Sequence, residues 1–113
     1  MTDIGLTHIA LPVSNLDRSI AFYARYVDMQ VVHRRTDPPA TDVAWVTDHT
    51  RPFVIVLIQK TPTEPILSPI AHLGVGCNSK AEVDRRCAQA QAEGILQMGP
   101  TDSGPPIGYW AFI

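Results

Sequence analysis

The sequence predicts an α+β fold built from two successive β-α-β-β-β modules, residues 1–64 and 65–113, within one domain. Three observations lead there. A strand-like segment occurs twice, 64 positions apart; each copy is followed by a helix-like segment; and further strand-like runs, separated by turn chemistry, follow each helix. In the repeat, Thr7-His-Ile-Ala-Leu-Pro-Val-Ser14 lies over Ala71-His-Leu-Gly-Val-Gly-Cys-Asn78, so that His8 falls on His72 and small residues fall on small ones. Both segments alternate with period two, as a half-buried strand does.

The elements follow in order. Ser14-Asn-Leu-Asp17 has the form of a capping box, and Leu16, Ile20, Tyr23 and Val27 then recur as an apolar helical stripe. Strands are predicted over 30–34, 42–47 and 53–59, divided by Asp37-Pro-Pro39 and Asp48-His-Thr-Arg-Pro52. In the second copy Ser79-Lys-Ala-Glu82 is the stronger capping box. Val83, Cys87 and Ala90 form its buried stripe, and Gly94 supplies a left-handed stop. Strands are predicted over 95–98 and 108–113, joined by a long loop over 100–106. The counterpart of the fourth strand would fall near 117–123, past Ile113, so the second module is expected to lack its last strand. A neighbouring strand would then keep a row of unpaired backbone groups. Two readings stay open: the polypeptide runs on past Ile113, or a partner chain donates the strand.

Bulk composition narrows the function classes. A net charge of −2 with 18% charged residues offers no electrostatic footprint for nucleic acid or a membrane surface. The longest apolar run, residues 53–58, is far short of a bilayer span, and the N-terminus does not read as a secretory signal. Cys77 and Cys87 fit neither a disulfide framework nor paired zinc knuckles, and read as buried free thiols of a cytoplasmic protein. There is no nucleophile elbow, phosphate-cradling glycine loop or dinucleotide fingerprint.

Alternation sets the direction of the two histidines. Ile9, Leu11 and Val13 share one face of the first strand, under its helix, while His8, Ala10 and Pro12 take the other. In the second copy Leu73, Val75 and Cys77 take the helix side, and His72, Gly74 and Gly76 the opposite one. Each strand thus shows one imidazole beside residues too small to fill space, the makings of a hollow with a nitrogen donor on either wall. A lone strand histidine is commonly a hydrogen-bonded wall residue; a shared repeat position favours metal ligation. Two histidines and a carboxylate suit non-haem iron(II), and the same donors suit zinc, nickel or manganese.

Gly5-Leu-Thr-His-Ile-Ala-Leu-Pro-Val-Ser-Asn-Leu-Asp-Arg-Ser-Ile-Ala-Phe-Tyr23 resembles the opening strand and helix of the vicinal-oxygen-chelate superfamily, which includes glyoxalases, bleomycin-resistance proteins and extradiol dioxygenases. Ala71-His-Leu-Gly-Val75 resembles the opening of its second module. The resemblance implies an open, curved, barrel-like mixed sheet around a divalent metal (Fe, Zn, Ni or Mn), often in a homodimer. It also implies a small-molecule substrate bound through vicinal oxygens. By position His8 and His72 match two metal ligands. Val56 stands where a glyoxalase I-like enzyme would carry a metal-binding Glu, which argues against that reaction. The remaining pattern resembles three-ligand relatives, extradiol dioxygenases and fosfomycin-modifying transferases, whose third ligand is a Glu on the last strand. The Lys of the fosfomycin enzymes has no counterpart; Thr101 sits near its place. Asp28 replaces the usual Gly after the first helix, a change that a left-handed Asp tolerates.

The expected function is therefore a metal-dependent lyase or dioxygenase, with a non-catalytic ligand-binding protein of the bleomycin-resistance type as the alternative. Tyr109 and Trp110 lie on the last visible strand, so one of them faces the hollow. Tyr109 is the candidate acid or hydrogen-bond donor, with core packing as the competing role. Trp45, at the repeat position of Tyr109, is expected to line the cavity with Val56 and Trp110. His33, Arg34 and Arg35 read as a solvated basic edge or a contact for an anion, and the 100–106 loop as a lid or a plain connector. No role is assigned to His49.

Overall fold

The computed structural model describes residues 5–61 and 71–113, so the predicted module boundary at 64/65 lies outside the described residues. The chain forms two compact units, Met1–Leu73 and Gly74–Ile113.

The first unit is a complete β-α-β-β-β module: β1 (His8–Val13), α1 (Leu16–Val27), β2 (Gln30–Asp37), β3 (Thr41–Thr47) and β4 (Val54–Gln59). Its sheet runs in the order β1-β4-β3-β2, with β1 parallel to β4 and the other pairs antiparallel. The sheet is therefore mixed and open, as expected. Alternation places Leu11, Leu57 and Ala44 in one cross-strand row and Ile55 beside Val46 in the next. These residues and Leu16 form the buried core, against which Ile20 and Tyr23 of α1 pack. Burial among these apolar groups raises the pKa of the Tyr23 hydroxyl.

Local chemistry fixes α1. Its N-cap is Asn15, not Ser14 as the capping-box reading has it: Asn15 Oδ1 accepts from the Arg18 backbone N–H at 3.0 Å. Both residue types cap well, and the extended backbone at Asn15 decides between them. The Leu16 N–H, another donor without a helical partner, reaches Gln59 Oε1 at the end of β4 at 2.8 Å. At the other end Asp28 takes the left-handed conformation, φ 55°. Strand β2 runs three residues beyond its predicted end. Thr36 donates to Asp42 at 2.7 Å and Asp37 pairs with Thr41, which leaves a shorter turn at Pro38-Pro39.

The second unit holds α2 (Lys80–Ala92), β5 (Met98–Asp102) and β6 (Tyr109–Phe112). Ser79 caps α2 by accepting from the Glu82 N–H at 3.2 Å. The observed caps, Asn15 and Ser79, are thus separated by the same 64 positions as His8 and His72. Gly94, at φ +75°, closes a Schellman turn in which Ile95 N–H donates to Ala90 O at 2.9 Å.

Three expectations fail between residues 71 and 102. The predicted strand over 71–78 is absent: residues 71–77 form no regular secondary structure and are exposed, Leu73 and Val75 among them. Strand β1 is held by the parallel β4, and no described segment plays that part for 71–77. Cys77 is accordingly exposed while Cys87 is buried, and burial raises the Cys87 thiol pKa. The strand predicted at 95–98 lies instead at 98–102, running into the predicted loop. A bulge between Met98 and Thr101 lets Pro100 sit in it. Gly99 makes that bulge possible: its φ is +94°, and a Cβ there would lie 2.9 Å from Trp110 O and 3.0 Å from Ala111 Cα.

Candidate functional site

The face of the first sheet away from α1 forms a hollow of about 640 Å³. Its floor follows from register. Ala10 pairs with Val56 and Val56 with Trp45, so two small or medium residues lie flat beside one large indole. Val54, opposite His8, extends the floor toward the end of the sheet where β1 begins and β3 turns into β4. Val56, expected as a pocket residue, is in this lining.

Trp45 forms the wall. Beyond it on β2, His33 lies with its ring centroid 4.7 Å from the indole, and the Arg35 guanidinium sits 5.8 Å from the ring centroid. The Trp45 Nε1 hydrogen is buried and has no hydrogen-bond partner among the described residues. Arg35 also donates to Asp37 at 2.9 Å. The basic cluster predicted for this strand is therefore divided. His33 and Arg35 take the Trp45 side, while Arg34 crosses to α1 and pairs with Asp17 at 2.8 Å.

His8 stands at the rim, exposed to solvent, with Nδ1 2.9 Å from the Thr7 hydroxyl oxygen. In the tautomer with Nδ1–H donating to Thr7, Nε2 keeps the lone pair that a metal or an acidic proton would take. His72 is exposed and belongs to the 71–77 segment. Among the described residues no three or more His, Cys, Asp or Glu side chains are grouped to hold a metal ion.

The turn from β3 to β4 brings two groups that the sequence reading left without a role, His49 and Arg51. Buried Thr47 holds this turn: its hydroxyl donates to Phe53 O at 2.8 Å and accepts from the His49 N–H at 3.2 Å. His49 is left-handed, φ 62°. Asp48 is turned onto Thr50, whose hydroxyl and N–H both donate to it. Those bonds hold its carboxyl below the usual range, with a smaller contribution from nearby Arg51. Only the turn composition marks this segment in the sequence, and turn composition does not say which way side chains point.

The aromatic residues of β6 lie in the second unit. Tyr109 donates its hydroxyl proton to Asp84 of α2, and Lys80 of α2 lies 5.3 Å from its ring centroid. Tyr109 is thus on the helix side of its strand, and the Asp84 hydrogen bond pushes its pKa up to about 12. Trp110 takes the opposite side with Phe112, their ring centroids 5.2 Å apart, and donates to Ser103 Oγ at 2.8 Å.

The family model described as "Glyoxalase/Bleomycin resistance protein/Dioxygenase superfamily" matches residues 5–110. An uncharacterised protein of Pseudomonas aeruginosa is 33% identical over 108 residues, 93% of this chain and 76% of that protein. A variant of the fosfomycin resistance protein FosX from Listeria monocytogenes, complexed with manganese(II) and dihydroxypropylphosphonic acid, superposes with a TM-score of 0.73. The identity is 18%, over 98% of this chain and 85% of that one. TnmS3, an antibiotic-binding protein from Streptomyces sp. CB03234, gives a TM-score of 0.61 at 22% identity, over 91% and 81% of the two chains. With a complete β-α-β-β-β module and a family match spanning nearly its whole length, the chain belongs to the glyoxalase/bleomycin resistance protein/dioxygenase superfamily.

Proposed function

We propose that the chain is a metal-dependent small-molecule enzyme of the lyase or dioxygenase type, acting on a substrate with vicinal oxygens. The observation that carries this reading is His8, an imidazole at the rim of an apolar hollow with one ring nitrogen engaged by Thr7. The donor chemistry fits a divalent metal in part. His8 offers Nε2, His72 occupies the same repeat position, and the third donor is not grouped with them among the described residues. When bound, such a metal (Fe, Zn, Ni or Mn) supplies a Lewis acid to neighbouring substrate oxygens.

The chain's own residues have separate tasks. Thr7 fixes the His8 ring, and Ala10, Val54 and Val56 give a floor that sheds water from the apolar part of a substrate. Trp45 limits its width. Tyr109 keeps its proton and donates its hydroxyl hydrogen bond to Asp84, which suits a holding role better than proton transfer. Homodimerisation and a cytoplasmic setting remain part of the proposal. Metal analysis of the purified protein and of His8→Ala and His72→Ala tests it. Loss of bound metal in both variants supports the assignment, and unchanged metal in both overturns it.

A second reading, a ligand-binding protein without catalysis, is favoured by the walls of the hollow, whose exposed surface is mostly apolar and includes Trp45, Phe53, Val54 and Val56. The likeness to an antibiotic-binding protein is in keeping with it. Ligand binding that is equally tight in excess chelator selects this reading over the first.

A further inference from the structure

We infer that the hollow of the first unit selects a planar organic anion: its flat part against Trp45, its anionic group against a clamp formed by His49 and Arg51. This deepens the small-molecule reading of the same hollow and rests on it.

Three features converge. The first is charge. Arg35 and Arg51 line the hollow, with His8 and His49 as ring-nitrogen hydrogen-bonding groups, and among the described residues no Asp or Glu lines it, in a protein whose net charge is −2. The two nearby carboxylates are occupied elsewhere, Asp37 by Arg35 and Asp48 by Thr50. Arg35 is thus spoken for, whereas among the described residues the Arg51 guanidinium has a Coulombic attraction to Asp48 and no ion pair. A guanidinium at the edge of a low-dielectric surface presents a fork that matches a carboxylate.

The second is shape. Register places Trp45 beside Val56 and Ala10, residues too small to fill the space along the indole. A flat ring or conjugated system laid over Val56 and Ala10 meets the indole wall, while its substituent points along the strands toward the turn.

The third is rigidity. His49 holds a left-handed backbone that costs about 1 kcal/mol for a residue other than glycine, and such outliers persist where the surroundings over-determine them. Here the buried Thr47 hydroxyl provides that constraint from both sides of the turn. The turn is therefore a fixed platform for His49 and Arg51, with little ordering left to be done on binding.

The test uses the whole chain and three matched probes, benzoate, benzyl alcohol and benzylamine, titrated in chelator by tryptophan fluorescence and calorimetry. Benzoate should bind at least about tenfold more tightly than benzyl alcohol, and benzylamine more weakly still. Arg51→Gln should weaken benzoate about tenfold and leave benzyl alcohol unchanged, and Trp45→Leu should weaken both. Because Arg51 is exposed on a turn, its variant should melt with the wild type, which separates lost recognition from lost folding. Equal affinity for benzoate and benzyl alcohol, no response to Arg51→Gln, or no binding by any probe overturns the clamp. The metal content of the His8 variant tests the broader reading independently.

Discussion

Replacing Thr47 with valine tests whether one buried hydroxyl holds the turn beside the hollow. Thr47 is 6% exposed, and its Oγ1 serves both Phe53 O at 2.8 Å and the His49 N–H at 3.2 Å. Valine keeps the shape and the strand preference but leaves both backbone groups without that partner. Each such bond is worth about 0.5–1.5 kcal/mol net, so Thr47→Val should cost about 2 kcal/mol. Thr47→Ser keeps the hydroxyl and loses one methyl, about 0.8 kcal/mol. At about 4 °C per kcal/mol for a domain of this size, thermal unfolding followed by circular dichroism should show drops of about 8 °C and about 3 °C. Benzoate affinity should fall for the valine variant and persist for serine. A valine variant as stable as wild type, or a serine variant less stable than valine, would refute the reasoning.

Other perturbations have equally definite outcomes. Leu57→Ala, at a fully buried position on a strand flanked by β1 and β3, should cost about 3–4 kcal/mol in urea unfolding, since its neighbours are strands that cannot collapse into the space. Gly99→Ala should cost about 2–3 kcal/mol in the same assay, because the added Cβ meets the β6 backbone at a left-handed position. Glu82 carries the clearest pH dependence: hydrogen bonds from Arg85 and then Arg86 lower its pKa from 4.5 to about 2. A depressed folded value means stabilisation that is complete above about pH 4.5 and lost as the pH falls toward 2. Glu82→Gln should flatten the stability profile across that window, and unchanged acid sensitivity in the variant would exclude the role.

The first module was legible because its cues agree. The alternation of Ile9, Leu11 and Val13 against His8 and Ala10 is the division between core and hollow that the sheet shows. The spacing of Leu16, Ile20 and Tyr23 identifies the buried side of α1. Ser14 and Asn15 could not be separated by type, since both cap helices and the choice rests on one backbone angle. The segment 71–77 misled for a different reason. Alternation describes what a strand would bury, whereas strand formation requires a neighbour to accept its backbone groups. Pro100 suggested a loop because the bulge that admits it depends on how closely β6 approaches Gly99. At the site, Trp45 was singled out by its repeat position with Tyr109 and Val56 by the family resemblance, and both lie in the lining of the hollow. His49 and Arg51 were not singled out, because a turn has no periodicity and their direction is set by the Thr47 hydroxyl two residues before His49.

The most direct test of a metal-centred site at the rim of the hollow is paramagnetic broadening. Substoichiometric manganese(II) is added to isotope-labelled protein and the amide spectrum is recorded for wild type and for His8→Ala. Broadening that centres on Thr7, His8 and Val54 and disappears in the variant is the predicted result. Broadening centred on the acidic side chains of α2, Glu82 and Asp84, or unchanged broadening in His8→Ala, would contradict it.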